Sequence, residues 1–314
     1  MKRFSKGYKP SMDGAKLHEF KSKFNVHSML TGVCYLFCVL ASIFLSPWIV
    51  TNLSKNLDNI LLTTTLNIIL VVFISRQFRY LENVVHFVSH KNFSKNSRVN
   101  DLIVNIFAAY PVIQNVEGYR KFHKIHHGYF GSEKDPCKQR MNQLKIDTKG
   151  YENIKNLCKT MVSNIHAYLF VYYREIGSNL KNFILFILWH TVFAGCILLI
   201  FGKSVAELYI YSAITAFLVV LPVIRYIAEV SEHDYETYQT EFQCTFNNLS
   251  IIDRLLIHPA GDAYHLVHHL YPSIPWWLQS KAHRFLYAHD SSYRIANNRT
   301  NLMQKIAIYK ELEV

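Results

Sequence analysis

The stretch "SMLTGVCYLFCVLASIFLSPWIV", Ser28 to Val50, decides the fold class. It carries no charged side chain and reaches the roughly 20 residues that a helix needs to cross the hydrocarbon core of a bilayer. Three more apolar runs follow, from about Leu57 to Ser75, Asn182 to Phe201 and Val205 to Ile224, and none of the four holds a Lys or Arg. The runs come in two pairs, each joined by a segment too short for anything but a tight turn. That predicts two antiparallel helical hairpins dipping through the membrane and opening to the same side. The two turns hold one cation each, Lys55 and Lys203. The segment before the first run carries Lys2, Arg3, Lys6, Lys9, Lys16, Lys21 and Lys23. By the positive-inside rule both termini and the long middle segment are expected in the cytoplasm. The expected fold is an all-α membrane protein, four transmembrane helices in two hairpins, extended into a cytoplasmic helical cap.

The bulk composition agrees. Half of the 314 residues are hydrophobic and only 18% are charged, with mean hydropathy +0.06 although the ends are polar, so apolar residues must be concentrated in the runs. The formal charge of +12 suits a basic cytoplasmic face lying on anionic lipid and attracting acidic soluble partners. A nucleic-acid role is only weakly supported, because Lys and Arg are spread around the spans instead of gathered in one soluble module. Residues 1–27 form a polar arm with no cleavable signal peptide, so the first span is expected to act as an uncleaved anchor. Residues 291–314 read as a cytoplasmic tail. Six cysteines, Cys34, Cys38, Cys137, Cys158, Cys196 and Cys244, contain no CxxC pair and read as small buried hydrophobes in a reducing compartment.

Sixteen histidines are many for this length, and half fall into three groups: "HFVSH" (His86, His90), "HKIHH" (His123, His126, His127) and "HLVHH" (His265, His268, His269). Spacings of three and four place the members of a group on one helix face, one turn apart. His86 lies about eleven residues beyond the second run, so a continuous helix carries it on the order of 16 Å past the lipid boundary. By the hydropathy and charge pattern all three groups share the cytoplasmic side. Eight imidazoles exceed what one metal ion uses, whereas two ions with four or more ligands each would employ them all. Imidazole suits Zn, Cu, Fe and Ni alike. A mononuclear zinc hydrolase is disfavoured because "HEFKS" at His18 lacks the second histidine of HExxH.

The pattern HxxxH, HxxHH, HxxHH, with the first box after one pair of spans and the last after the second pair, resembles the membrane fatty acid desaturase superfamily, which includes hydroxylases and ketolases. The likeness covers about Ser28 to Leu286, within a domain read as 28–290. It is supported by "YRKFHKIHHGYFGSEKDP" and "YHLVHHLYPSIPWWLQSKAHRFL". It implies that the boxes bind two iron ions (Fe2+) that use O2 and two electrons to attack an unactivated C–H bond of a fatty acyl chain or similar lipid. Desaturation is the expected outcome, and hydroxylation by the same site is the alternative. It also implies a further ligand just after the fourth span, for which His233 is the candidate, with Glu229 one turn earlier to orient it. The chain has Ala263 where family members commonly have Asn. "HPAGD" at His258 resembles a cytochrome b5 mark but leaves no room for a haem domain, so electrons are expected from a separate ferredoxin or cytochrome b5 type donor. The expected location is the bacterial inner membrane or the endoplasmic reticulum, with the active site cytoplasmic.

The remaining residues read more plainly. Arg120 and Asp135 are expected to support the second box. His18, His27, His166, His283 and His289 read as surface or packing residues. His190, inside the third span, reads as a hydrogen-bonding link between helices. A metal transporter is a remote alternative, since the spans offer little that is ionisable besides His190. Trp276 and Trp277 read as interfacial anchors. Asp101 to Ile113 is too short to span and reads as an interfacial or re-entrant helix, and His166 to Tyr173 as a similar aromatic surface.

Overall fold

The computed structural model describes residues 3–55, 57–144, 154–296 and 298–299; Lys2, Asn56 in the first expected turn and residues 300–314 of the expected tail lie outside them. Among the described residues, four helices are long and apolar enough to cross a membrane: Met29–Ser54 (α2), Ile60–Val88 (α3), Leu180–Phe201 (α8) and a continuous helical stretch Lys203–Glu232. The last is built from Lys203–Thr215 (α9), a π-turn at Ala216–Val220 and Leu221–Glu232 (α10). The π-turn sits just ahead of Pro222, which lacks a backbone donor, so the widened turn and a proline in the first turn of α10 fall together.

Side chains cap these helices. Ser28 accepts from the Thr31 N–H, Asn59 from Leu62 and Asn179 from Asn182, each satisfying an otherwise orphaned donor. Helix α2 packs on α3, α8 on α9, and α9 also on α2 and α3. Their outer faces stay apolar and uncovered: Phe37, Ile60, Leu61 and Leu199 are 71–86% exposed. So broad an apolar surface is stable in lipid and not in water.

Helix α3 changes character along its length. Its first half is largely exposed, while nearly every residue from Ile74 to Val88 is buried, polar ones included. The burial begins where the apolar run ends, because there the other elements close around it. Gly14–Phe24 (α1), Ser97–Val104 (α4), Val116–Gly128 (α5), Pro136–Gln143 (α6), Ile154–Gly177 (α7), Glu241–Cys244 (α11), His265–Leu270 (α12), Gln279–His289 (α13) and Ser291–Arg294 (α14) complete the helices. Short strands Asn247–Asn248 and Asn298–Arg299 pair in parallel. The apolar Asp101 to Ile113 stretch is helical, as expected, running from α4 through a π-turn into a 3-10 turn; it buries Val104, Ala108 and Val112 and exposes Leu102 and Phe107.

Two expectations change. Trp276 is not an exposed anchor: it is buried, stacks on Phe93 and donates from Nε1 to Tyr80 Oη at 3.1 Å. Cys34, Cys38, Cys158 and Cys196 lie on outward faces, and only Cys244 is fully buried, although all six are free. The arm before the first span is tied to the rest of the fold. Arg3 and Lys6 reach the buried Glu241 at 3.5 and 3.3 Å, and Phe4 N–H bonds to Phe130 O.

Candidate metal centre

Four elements deliver the predicted histidines to one place. His86 rides on the enclosed half of α3 and His90 lies two residues past its end. His123, His126 and His127 occupy the last turns of α5, whose cap Asn115 accepts from the Gly118 N–H at 2.6 Å. His265, His268 and His269 fill α12. His233 caps α10, where the backbone turns extended and pairs with Thr245.

The nine rings meet. Nε2 of His123 lies 3.0 Å from that of His268, and Nε2 of His127 lies 2.9 Å and 3.2 Å from the same two. Nε2 of His126 is 3.4 Å from that of His269, and Nε2 of His265 is 3.1 Å from that of His233. The His90 ring centre is 4.9 Å from those of His123 and His268 and 5.0 Å from that of His127, and the His86 ring is 4.2 Å from His268. Donor atoms of His90, His123, His127 and His268 all fall within 4.8 Å of one another, and so do those of His126, His233 and His269.

Behind the rings stand carboxylates. Asp135 takes a hydrogen bond from His126 Nδ1 at 2.9 Å, Glu241 from His269 Nδ1 at 3.2 Å, and Asp262 from His86 Nδ1 at 3.2 Å and His265 Nδ1 at 3.4 Å. An ionised carboxylate only accepts, so these rings carry their hydrogen on Nδ1 and turn a bare Nε2 lone pair inward. His233 Nδ1 pairs with Thr245 Oγ1 at 3.2 Å. Several ring nitrogens are buried without any partner: His86 Nε2, His90 Nε2 and His268 Nδ1. Such orphans are costly unless something absent from the protein itself binds them.

The electrostatics favour neutral rings. Burial, reinforced by the neighbouring imidazoles, holds His123, His127, His233, His268 and His269 well below the usual histidine range. Burial takes His90 down to about 3, and His265 to about 4 despite Asp262. His126 goes the other way, since Cys137 and Asp135 outweigh its burial and raise it. Asp262 is held well below the ordinary carboxylate range; burial opposes this, but His258, His265 and His86 prevail. Imidazoles converging on a common point, most of them held neutral by burial and several backed by carboxylates, form a donor set suited to metal cations.

The model of one family, fatty acid desaturase, matches residues 61–297. The chain belongs to the fatty acid desaturase family. Dihydrorhizobitoxine desaturase of Bradyrhizobium elkanii is a relative, 25% identical over an alignment of 241 positions that covers 68% of this chain and 66% of that protein. The matched range of this desaturase-family chain contains all nine histidines.

Sequence reading missed two of the carboxylates. Asp262 stands three residues before His265, on the same helical face, which is a local signal. Glu241 is 28 residues from His269 and gave none. Asp135 supports the second box as expected. Arg120 braces it too, donating to Ser89 O at 2.8 Å and forking onto Asp101 at 2.6 and 2.8 Å. Glu229 does not orient His233; it accepts from Arg140 and Tyr168. His258 is buried beside the centre, but both its nitrogens are engaged, by Asp262 at 3.3 Å and Ser231 at 2.9 Å, so it offers no free lone pair. His190 links helices as expected, through Tyr209 at 2.7 Å and Pro111 O at 3.1 Å. His18, His27, His166 and His289 are exposed, and His283 is half-buried on Tyr293.

Proposed function

We propose that this chain catalyses O2-dependent oxidation of an unactivated C–H bond, with desaturation of an acyl chain or similar lipid-like molecule as the outcome, at a centre holding two iron ions. The observation that carries the reading is the triangle of His123, His127 and His268 Nε2 atoms at 2.9–3.2 Å, whose inward nitrogens have only one another to meet. Two sets of ligands follow from proximity: His86, His90, His123, His127 and His268 for one ion, and His126, His233, His265 and His269 for the other. When bound, the iron pair supplies activation of O2 with two electrons from a donor.

The chain's own residues fix the site. Asp135, Glu241 and Asp262 hold the rings by Nδ1, so that Nε2 faces the ions without a costly reorientation. Burial keeps His90, His123, His127, His233, His265, His268 and His269 neutral and available, and excludes bulk water from the place of oxidation. With both termini and the histidines on the cytoplasmic side and the two spanning pairs as hairpins, a soluble acidic electron donor of the ferredoxin or cytochrome b5 type would reach the centre from the basic face. The test is elemental analysis of the purified protein together with mass spectrometry of its product. Iron near two atoms per chain and a product lighter by two hydrogens support the proposal. A product heavier by one oxygen means hydroxylation, and stoichiometric zinc in active protein refutes the iron centre.

A further inference from the structure

Two cavities differ in a way that bears on the substrate. The larger, about 690 Å³, lies along α8 and α9 and is almost wholly apolar, with Phe186, Ile187, Leu198, Ile214 and Phe217 on its walls. It meets His190 but none of the nine converging histidines. The smaller, about 340 Å³, does reach them, at His86, His123, His126, His233 and His265. That volume is at the low end of the roughly 300–1,000 Å³ common for small-molecule sites.

The wall of the smaller cavity is mixed: much of it is apolar, with Tyr119, Phe122 and Met141, but Arg140, Arg225, Glu229, Glu232 and the amide of Gln114 also line it. A bare hydrocarbon could pack against the apolar part, but over the charged part it would strip water from these groups and make no hydrogen bond in return. Some of their hydrogen-bonding capacity is also unused. Arg140 donates from Nε to Glu229 at 2.9 Å and from Nη1 to Glu175, but its Nη2 is buried with no partner. Arg225 stands 3.7 Å from Glu82 and 3.5 Å from Glu229, at the outer limit of hydrogen bonding. On the acceptor side, Gln114 Oε1 is buried with no partner, and Glu232 Oε2 comes no closer than 3.9 Å to His265 Nε2. Guanidinium N–H groups match a carboxylate, and the amide and carboxylate oxygens match an ammonium or hydroxyl.

We infer that the molecule oxidised here is a small amphiphile bearing a free carboxylate and a hydrogen-bond donor such as an ammonium group, both near the carbon attacked. The inference rests on the oxidation chemistry proposed above. The carboxylate sits at Arg140, with Arg225 beside it, and the donor group faces Gln114 and Glu232. Proximity to the centre follows from α6. Arg140 is about one helical turn, roughly 5.4 Å of rise, beyond Cys137, and the Cys137 sulfur lies within 4.8 Å of a His126 ring nitrogen. An ionised end held there leaves only a few bonds before the histidines are reached, whereas a long acyl chain attacked at mid-length would have to lie along these charges.

The test is calorimetric titration of the full-length, iron-loaded protein in nanodiscs without O2, using 2-aminooctanoate, octanoate, octanamide and a stearoyl thioester. The expected order of affinity is 2-aminooctanoate first, octanoate weaker, and octanamide and the stearoyl thioester weaker still. Arg140→Gln should weaken 2-aminooctanoate at least ten-fold at unchanged iron content. Gln114→Leu should do the same, and because Gln114 Oε1 bonds to nothing, that variant is not expected to disturb folding. If the stearoyl thioester binds most tightly, or both variants bind 2-aminooctanoate as the wild type does, the inference is overturned. O2 and reductant are added afterwards. Ligands that bind in the expected order and come back unmodified would sink the oxidation reading and leave the ligand class standing.

Discussion

Replacing Asp262 with Asn changes one atom in the middle of the centre. Asp262 Oδ1 accepts from His86 Nδ1 at 3.2 Å and His265 Nδ1 at 3.4 Å, and Oδ2 accepts from Arg79 Nη2 and His258 Nδ1, both at 3.3 Å. Asparagine supplies a single acceptor oxygen. Turned toward His86 and His265, it aims an NH2 group at two donors; turned the other way, it releases both rings. Loss of an orienting partner typically lowers metal affinity about 10–100-fold. Two rings share this carboxylate, but effects within one network do not add. A loss of about 100-fold, or about 2.7 kcal/mol, is therefore expected for Asp262→Asn. Stability falls less than the roughly 3–5 kcal/mol of a fully orphaned buried charge, because Arg79 keeps Glu82 at 3.4 Å and Glu232 at 3.3 Å. The assay is equilibrium dialysis against buffered ferrous iron, with metal per chain counted by mass spectrometry and Tm measured on the apoprotein. Glu82→Gln is the control: it also disturbs Arg79 and Arg225 but bonds to no histidine, so it should lower Tm and keep iron affinity. Wild-type iron affinity in Asp262→Asn, or an equal iron loss in Glu82→Gln, would refute the orienting role.

Other perturbations separate the parts of the argument. His233→Ala should abolish turnover and lower iron content, whereas His283→Ala and His289→Ala should leave both near wild type; retained iron and activity in His233→Ala removes it from the ligand set. Arg3→Ala with Lys6→Ala strips the half-exposed cations from Glu241. Exposed pairs contribute about 0–1 kcal/mol each, so a Tm drop of a few degrees and at most a several-fold weaker iron affinity are expected, and complete loss of iron would show that the arm does more than neutralise Glu241. Lys55→Cys and Lys203→Cys, made in a background without the four outward cysteines, should react with impermeant reagents only from outside the cell; reaction from the cytoplasmic side overturns the topology. Turnover with an acidic electron donor should fall as ionic strength rises, since exposed charges more than roughly 8–10 Å apart are screened at physiological salt; a salt-independent rate under limiting donor argues against electrostatic docking.

Much of this protein is legible in its sequence, because the signals involved are local. The four spanning helices follow from continuous apolar runs, and their ends differ from the expected limits chiefly where α3 runs on from Ser75 to Val88, which the spacing to His86 anticipated. The three boxes are legible for the same reason: spacings of three and four state which rings share a helix face before any fold is known. Trp276 shows the limit of such reading, since membrane interfaces and protein cores both favour an indole, and only its contacts with Tyr80 and Phe93 place it in the core. The support behind the rings is likewise tertiary. His86 and Asp262 are 176 residues apart, and Glu241 is joined to Arg3 across 238. Glu229, one turn from His233 in sequence, faces Arg140 instead. A helix period tells which side chains lie together on one element, but not which face the neighbouring elements will cover. Partners for buried charge are chosen at closure, when each group losing its water must take the nearest complementary one, and that choice exists only in the folded chain.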